Sequence, residues 1–536
     1  MNLLHFFGFV NVRQVRFRIQ GVHRPILSGL LWCSLLLAGC AQTDQVRATD
    51  RLKPCTGDDT PIDALCGTFK VFENRATKQG RQIDLNIVVL PALRADARPD
   101  PLFFLAGGPG QGAAKMAKLI REMYRRVQTD RDIVLVDQRG TGRSNPLNCD
   151  SDDDSLEAVM ETQESVLARL KACMAGYDAD LTQYTTTIAM DDLDDVRAYL
   201  GYDQINLYGG SYGTRAGLVY MRQHGAHVRS AVLDGVAPTN MRLPLFFPRD
   251  SERAFNLLVK DCEADEGCRN AYPNLGGRFR ALMARLKENP PTVNVTHPRT
   301  GVRGAIRLEA RLVANVVVMV LYSPMASALV PAIVARAEQN DFQAMLALAA
   351  LNDGGGEPNM SVGMQLSVIC AEDAPRITAE EVRKESEGSL FGEYVMRTQQ
   401  DACAFWPRGT VDAAYYEPVT VTIPTLVMSG ELDPVTPPVW GEETARHLPA
   451  AKHIVMPGTG HTAGGTGCGL RIIRNFLDAG TTDNLDTSCV ANVKRPPFFV
   501  TPAGPDPGTG GNLSRRSSTS AKASVDKPVG RPGATR

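Results

Sequence analysis

Short apolar runs at 102–106, 133–136, 205–208 and 231–233 alternate with stretches of helical composition at 113–127, 190–200 and 212–224. Runs that short, apolar on both sides and followed by turn residues, suit the central strands of a sheet covered on both faces, the usual setting of parallel strands. A strand that returns parallel to its predecessor needs a crossover, and the intervening helices supply one. Two earlier runs, 67–72 and 82–90, differ in kind. The second alternates apolar and polar residues and suits an antiparallel strand. The expected class is therefore α/β with a mostly parallel central sheet. The alternation stops near Pro238. From 239 to 409 the pattern is mostly helical, at 251–262, 277–287, 308–321 and 326–338. Strand-like runs return only at 425–428 and 453–456, before a last helix at 468–479. A helical cap inserted after the sixth strand accounts for this order, dividing the sheet domain into 55–238 and 410–500.

The two ends fall outside that scheme. Arg13, Arg16, Arg18 and Arg24 precede an apolar run at 26–38. The run is short for a bilayer span, which takes ~20 apolar residues. A basic start followed by a short apolar stretch predicts an export signal over 1–39. It ends in Leu37-Ala38-Gly39-Cys40, similar to the bacterial lipobox, and makes Cys40 the expected lipidation site, with 40–54 as a tether. The expected location is a membrane-anchored lipoprotein facing the periplasm or the cell exterior, with a soluble periplasmic or secreted protein as the alternative. At the other end, 501–536 is dominated by Gly, Pro, Ser, Thr and Ala and is expected to be a disordered tail, because it cannot bury enough apolar surface to offset ordering.

Cysteine usage fits an exported chain. Of twelve cysteines, Cys33 lies in the signal and Cys40 ends it. The remaining ten are Cys55, Cys66, Cys149, Cys173, Cys262, Cys268, Cys370, Cys403, Cys468 and Cys489. Pairing of sequence neighbours is the simplest disulfide pattern in an oxidising compartment. No C-x-x-C and no Cys/His cluster suggests a metal site. The formal net charge of -1 provides no field to recruit nucleic acid. The acidic run Asp150, Asp152, Asp153 and Asp154 lacks the spacing of a calcium loop. Asp191, Asp192, Asp194 and Asp195 are expected at a helix start, and Arg139 is expected to brace loops by backbone contacts.

The chemistry concentrates in three motifs. In Gly209-Gly210-Ser211-Tyr212-Gly213 a serine sits where a strand turns into a helix. The G-x-S-x-G turn exposes a serine on a sharp bend that crowds the backbone on both sides, so glycine is needed two residues before and two after. Ser211 is the candidate nucleophile. The N–H of Tyr212 would face the substrate oxyanion, and the loop Ala106-Gly107-Gly108-Pro109-Gly110 places the N–H of Gly108 as the second donor. A base for the serine should come last in the chain. Of eight histidines, His461 follows a late strand in a Gly-rich loop. The orienting acid should end the preceding strand, where Asp433 fits better than Glu431.

With these in order, the chain resembles the proline iminopeptidase and tripeptidyl aminopeptidase branch of the α/β-hydrolases. The likeness rests on Gly107-Gly108-Pro109-Gly110, on Asp137-Gln138-Arg139-Gly140-Thr141-Gly142-Arg143-Ser144, on the Ser211 motif continuing to Thr214-Arg215, and on Gly430 to Pro437 followed by Gly460-His461. Ala106 stands where proline iminopeptidases typically carry His. The resemblance implies an α/β-hydrolase fold with a TAP-like C-terminal region. It also implies a serine exopeptidase, prolyl or tripeptidyl in type, acting at a free N-terminus with no cofactor. Cap carboxylates would hold the substrate ammonium, with Glu372 and Asp373 the candidates. An esterase or other small-molecule hydrolase with the same triad is the alternative. A non-catalytic surface lipoprotein is the second alternative.

Overall fold

A computed structural model describes residues 51–57, 60–149, 161–352, 360–501 and 504. The expected signal 1–39, Cys40, most of the tether, the acidic run at 150–154 and nearly all of 501–536 lie outside the described residues.

Among the described residues, nine strands form one sheet in the order β1-β2-β3-β5-β4-β6-β7-β10-β11. They are β1 (Lys53–Pro54), β2 (Leu65–Phe72), β3 (Gln82–Leu90), β4 (Leu102–Leu105), β5 (Ile133–Val136), β6 (Ile205–Gly210), β7 (Val228–Asp234), β10 (Thr425–Gly430) and β11 (Ala451–Met456). The pairings β1/β2, β2/β3 and β3/β5 are antiparallel. Every pairing from β5 across to β11 is parallel. Side chains alternate along each strand, so each strand feeds both faces. Phe103 and Leu105 join one buried cluster with Leu85, Ile87 and Val89. Leu102 and Phe104 join the opposite one with Val88 and Leu90.

The insertion follows β7, one strand later than expected, because the two-residue β1 precedes the six strands legible in the sequence. It has its own core around Phe255, Phe279, Val313, Val317 and Val334. It is also not purely helical. Strands β8 (Thr292–Thr296) and β9 (Arg303–Arg307) form a separate antiparallel hairpin. Its turn is closed by Gly301 at φ 71°, whose N–H donates to the His297 carbonyl. The expected helix at 326–338 is broken into Pro324–Ser327 and Val330–Ala337.

All ten described cysteines pair with their sequence neighbours: Cys55–Cys66, Cys149–Cys173, Cys262–Cys268, Cys370–Cys403 and Cys468–Cys489. The aspartates at 191–195 are not at a helix start. They lie in the middle of Thr186–Leu200, where ion pairs and hydrogen bonds hold them. Asp192 meets Arg139 and Arg75, Asp194 meets Arg197, and Asp191 meets His224. Arg139 is buried, and besides Asp192 it donates to the carbonyls of Glu73 and Gln183.

Candidate active site

Ser211 lies between β6 and the helix Tyr212–His224 with φ 57° and ψ -127°. A non-glycine residue held at positive φ is strained and persists only where its surroundings fix it. Here the fixing is explicit. The N–H of Ser211 donates to the Asp234 carbonyl at the end of β7 (2.9 Å), and the N–H of Thr214 returns to the Ser211 carbonyl (2.9 Å). A methyl group on Gly209 would lie 2.2 Å from the Gly213 carbonyl oxygen, and one on Gly213 would lie 2.2 Å from that of Leu105. Both glycines are required for the bend to seat against β4.

As first residue of its helix, Tyr212 has an N–H with no intrahelical acceptor. The loop after β4 runs beside the bend: a Cβ on Gly107 would sit 3.2 Å from the Ser211 Cβ. Gly108 takes φ 108°, and among the described residues its N–H has no acceptor. The loop that carries Gly108 therefore passes beside the serine through Gly107. Asp137 braces the neighbouring loop, accepting from the N–H of Ala114 (2.8 Å), the N–H of Arg143 (3.0 Å) and the Asn86 amide (2.8 Å).

Across the sheet, the loops after β10 and β11 meet. His461 Nδ1 is 2.8 Å from Asp433 Oδ2. Asp433 is fully buried and accepts on Oδ1 from the N–H groups of Val435 (2.9 Å) and Thr436 (2.8 Å). Burial alone would raise its carboxyl. The charge and hydrogen bond of His461, with those N–H groups, outweigh burial and hold it below the usual carboxylate range. Burial likewise works to lower the imidazole, but Asp433 overrides it and His461 ends above its ordinary value. Glu431, the competing acid, is turned away and accepts from the Gly458 N–H (2.9 Å). Among the described residues neither Ser211 Oγ nor His461 Nε2 has a hydrogen-bond partner. The two loops adjoin all the same: a Cβ on Gly210 would lie 3.6 Å from Thr462 Cγ2. Such a contact commonly tightens only when substrate is bound.

Three side chains of this site were not singled out from the sequence. Thr436 Oγ1 donates to Asp433 Oδ2 (2.7 Å) and lies 3.1 Å from His461 Nδ1. Its signal was the Asp-x-x-Thr spacing. Tyr322, in the cap, accepts the His461 N–H on its carbonyl (2.9 Å) and sets its ring edge-on to the imidazole at 4.9 Å. Nothing in the sequence marks that contact. Asp234, which closes β7, accepts on Oδ2 from the Tyr208 hydroxyl (2.7 Å) and from the N–H of Gly464 (2.8 Å), three residues past His461. Its Oδ1 is buried without a partner, and burial pushes its carboxyl up to about 6. An acid ending an apolar strand was the available signal.

The cap carboxylates need a correction. Glu372 and Asp373 are buried and not free to clamp a substrate ammonium. Asp373 takes both oxygens to Arg215 Nη1 (2.9 and 3.1 Å). Glu372 accepts from the N–H (2.7 Å) and hydroxyl (3.0 Å) of Thr186 and from the Tyr415 hydroxyl. All are buried. Two carboxylates out of water need a cation close by, and the protein supplies it as Arg215 on the helix that follows Ser211.

A doubly covered, mostly parallel sheet with a strained serine after one strand and an Asp–His pair after the last two defines a serine hydrolase of the α/β-hydrolase fold. Comparison with known proteins narrows this. Residues 388–489 match the family described as TAP-like protein. The chain is 25% identical over 498 residues to the serine protease Hip1 of Mycobacterium tuberculosis, covering 86% of this chain and 95% of that protein. It is 27% identical over 258 residues to the tripeptidyl aminopeptidase of Streptomyces lividans, covering 45% of this chain and 48% of that protein. It is 27% identical over 191 residues to the proline iminopeptidase of Neisseria gonorrhoeae, covering 35% and 44%. The chain is thus similar to serine peptidases and aminopeptidases of the α/β-hydrolase fold, and its C-terminal region matches a TAP-like family model.

Proposed function

We propose that the chain is an exported serine peptidase that removes residues from the free N-terminus of peptides through an acyl-enzyme on Ser211. The observation that carries the mechanism is the strained backbone of Ser211 beside a buried Asp–His pair. In this mechanism His461 Nε2 takes the serine proton as Oγ attacks the scissile carbonyl carbon, and gives it to the leaving amine. Asp433 keeps the Nδ1 proton in place and stabilises the imidazolium. The N–H groups of Tyr212 and Gly108 receive the oxyanion. Water, activated by the same imidazole, then cleaves the ester.

Action at a free N-terminus is favoured by the names of two relatives, an aminopeptidase and an iminopeptidase. It does not draw on Glu372 and Asp373. Export is favoured by the leader-like start, and five disulfides fit an oxidising compartment. Lipidation of Cys40 would hold the protein at a membrane surface.

The test is a digest of a peptide library read by mass spectrometry, with each peptide present in free and N-acetylated form. Ser211-dependent loss of residues from free ends alone supports the proposal. Equal cleavage of acetylated peptides rejects the exopeptidase part, and cleavage that survives Ser211→Ala rejects the mechanism. Cys40→Ala tests the anchor, since an unchanged membrane fraction would rule it out.

A further inference from the structure

The loop that carries Gly108 opens onto a cavity of about 330 Å³. Its size is that of a small-ligand site. Three helices wall it. Val362, Leu366 and Ile369 recur at i, i+4 and i+7 on the helix Val362–Glu372, so one face of that helix lines the cavity. The helix Tyr394–Phe405 does the same with Val395, Thr398 and Ala402, and Gln163–Gly176 with Val166 and Leu170. Leu243 and Phe247, at the start of the cap, complete the wall. Disulfides Cys370–Cys403 and Cys149–Cys173 tie these helices to one another and to the core. The walls are thus pinned, and their apolar faces are not closed over one another.

Charge decides what the cavity can hold. Among its described lining residues, Arg169 is the one that carries a charge at neutral pH. Its guanidinium is already spent on Glu161 in a two-pronged pair, Nε to Oε1 at 2.9 Å and Nη2 to Oε2 at 2.8 Å. An ionised substrate side chain placed here would lose its water and find no free counter-ion. An apolar one would cover the Val, Leu and Ile side chains on these helices and leave no charge unpaired.

Building on the peptidase reading above, we infer that this cavity is a specificity subsite for a bulky, uncharged apolar side chain of the peptide, next to the bond held at Ser211 and Gly108. Such a pocket separates Leu or Phe from Gly by contact area alone, at about 10–200-fold per methylene-scale difference, and rejects Lys and Glu by desolvation.

The test separates binding from turnover. Tetrapeptides of alanine carrying Leu, Gly, Lys or Glu at each position in turn are titrated by calorimetry into the full chain bearing Ser211→Ala, and the same set is digested by the wild type. The expected result is one position at which Leu binds at least about tenfold more tightly than Gly, with Lys and Glu weaker still. Val362→Trp should erase that preference by filling the cavity. Gln365→Glu, at another half-buried lining position, should turn it toward Lys. Equal binding of Leu, Lys and Glu, no binding of any peptide, or a Leu preference untouched by both substitutions overturns the inference. If the wild type hydrolyses the set through Ser211 without an apolar preference, the subsite falls and the peptidase reading stands. If Ser211→Ala shows the preference but the wild type hydrolyses nothing, the peptidase reading falls and the pocket stands.

Discussion

Asp234 gives a sharp test of how the site is held. Its carboxyl is fully buried, and its pKa of about 6 compares with 3.8 for an unperturbed aspartate. A folded-state value above the unfolded one means that the folded protein binds this proton more tightly. The stabilising difference is therefore fully present below about pH 4 and is lost as pH rises through 6. The loss is about two pKa units, or about 3 kcal/mol at 1.36 kcal/mol per unit. Asp234→Asn cannot titrate. Its amide oxygen can keep the donors Tyr208 and Gly464, while its amide NH2 takes the place of the unpartnered Oδ1. A buried NH2 without an acceptor costs about 1–3 kcal/mol, but that cost does not change with pH. Urea unfolding of both proteins, disulfides intact, at half-unit steps from pH 4 to 8 should show the variant gaining on the wild type by about 2.5 kcal/mol across that range. Titrations common to both proteins cancel in the difference. A difference that stays flat refutes the reasoning. A difference of opposite sign would show that Asp234 is held as an anion, with His461 as its counter-ion.

Other outcomes follow from the same geometry. Gly213→Ala drives a methyl group to 2.2 Å from the Leu105 carbonyl oxygen; it should abolish hydrolysis and destabilise by about 1–3 kcal/mol or more, measured by thermal melts and initial rates. Arg215→Met leaves Glu372 buried without its cation and Asp373 with only Arg376 at 3.7 Å and should cost about 3–5 kcal/mol, recovered in part by adding Asp373→Asn. Because Asp433 raises the imidazole, the acid limb of kcat/KM against pH should bend above 6.5, and Asp433→Asn should lower both the rate and that inflection. Breaking Cys370–Cys403 by a double serine substitution should lower stability by about 2–4 kcal/mol and loosen the two cavity helices it joins.

The layout of the sheet was legible because its central strands are apolar on both faces, and only one arrangement buries both. Gly209 and Gly213 were legible for a similar reason: the bend leaves no room for a methyl group at either. Asp433 could be preferred to Glu431 on position, and the structure brings Asp433 to the imidazole while Glu431 turns to Gly458. What escaped has no local signature. The helix Gln163–Gly176 is scarcely amphipathic, with Leu170 its one fully buried side chain, so its period is faint. Hairpin β8/β9 sits inside a run of helices and packs on the cap rather than on the sheet. Tyr322 meets His461 across 139 residues of chain, a contact set by how the cap lies on the core and not by spacing. Glu372 and Asp373 were misread for the same reason, since their cation comes from Arg215, far upstream. Charge alone places the aspartates of Thr186–Leu200 at a helix start, but Arg139, Arg75 and Arg197 hold them in its middle.

In the proposed mechanism, backbone strain and a buried Asp–His pair make one alcohol reactive. Incubation of the folded protein with a fluorophosphonate, followed by peptide mass mapping, tests it directly. A single adduct is expected on Ser211, absent in Ser211→Ala and formed much more slowly in His461→Ala. A folded wild type that takes up no label, or an adduct on another serine, would contradict it.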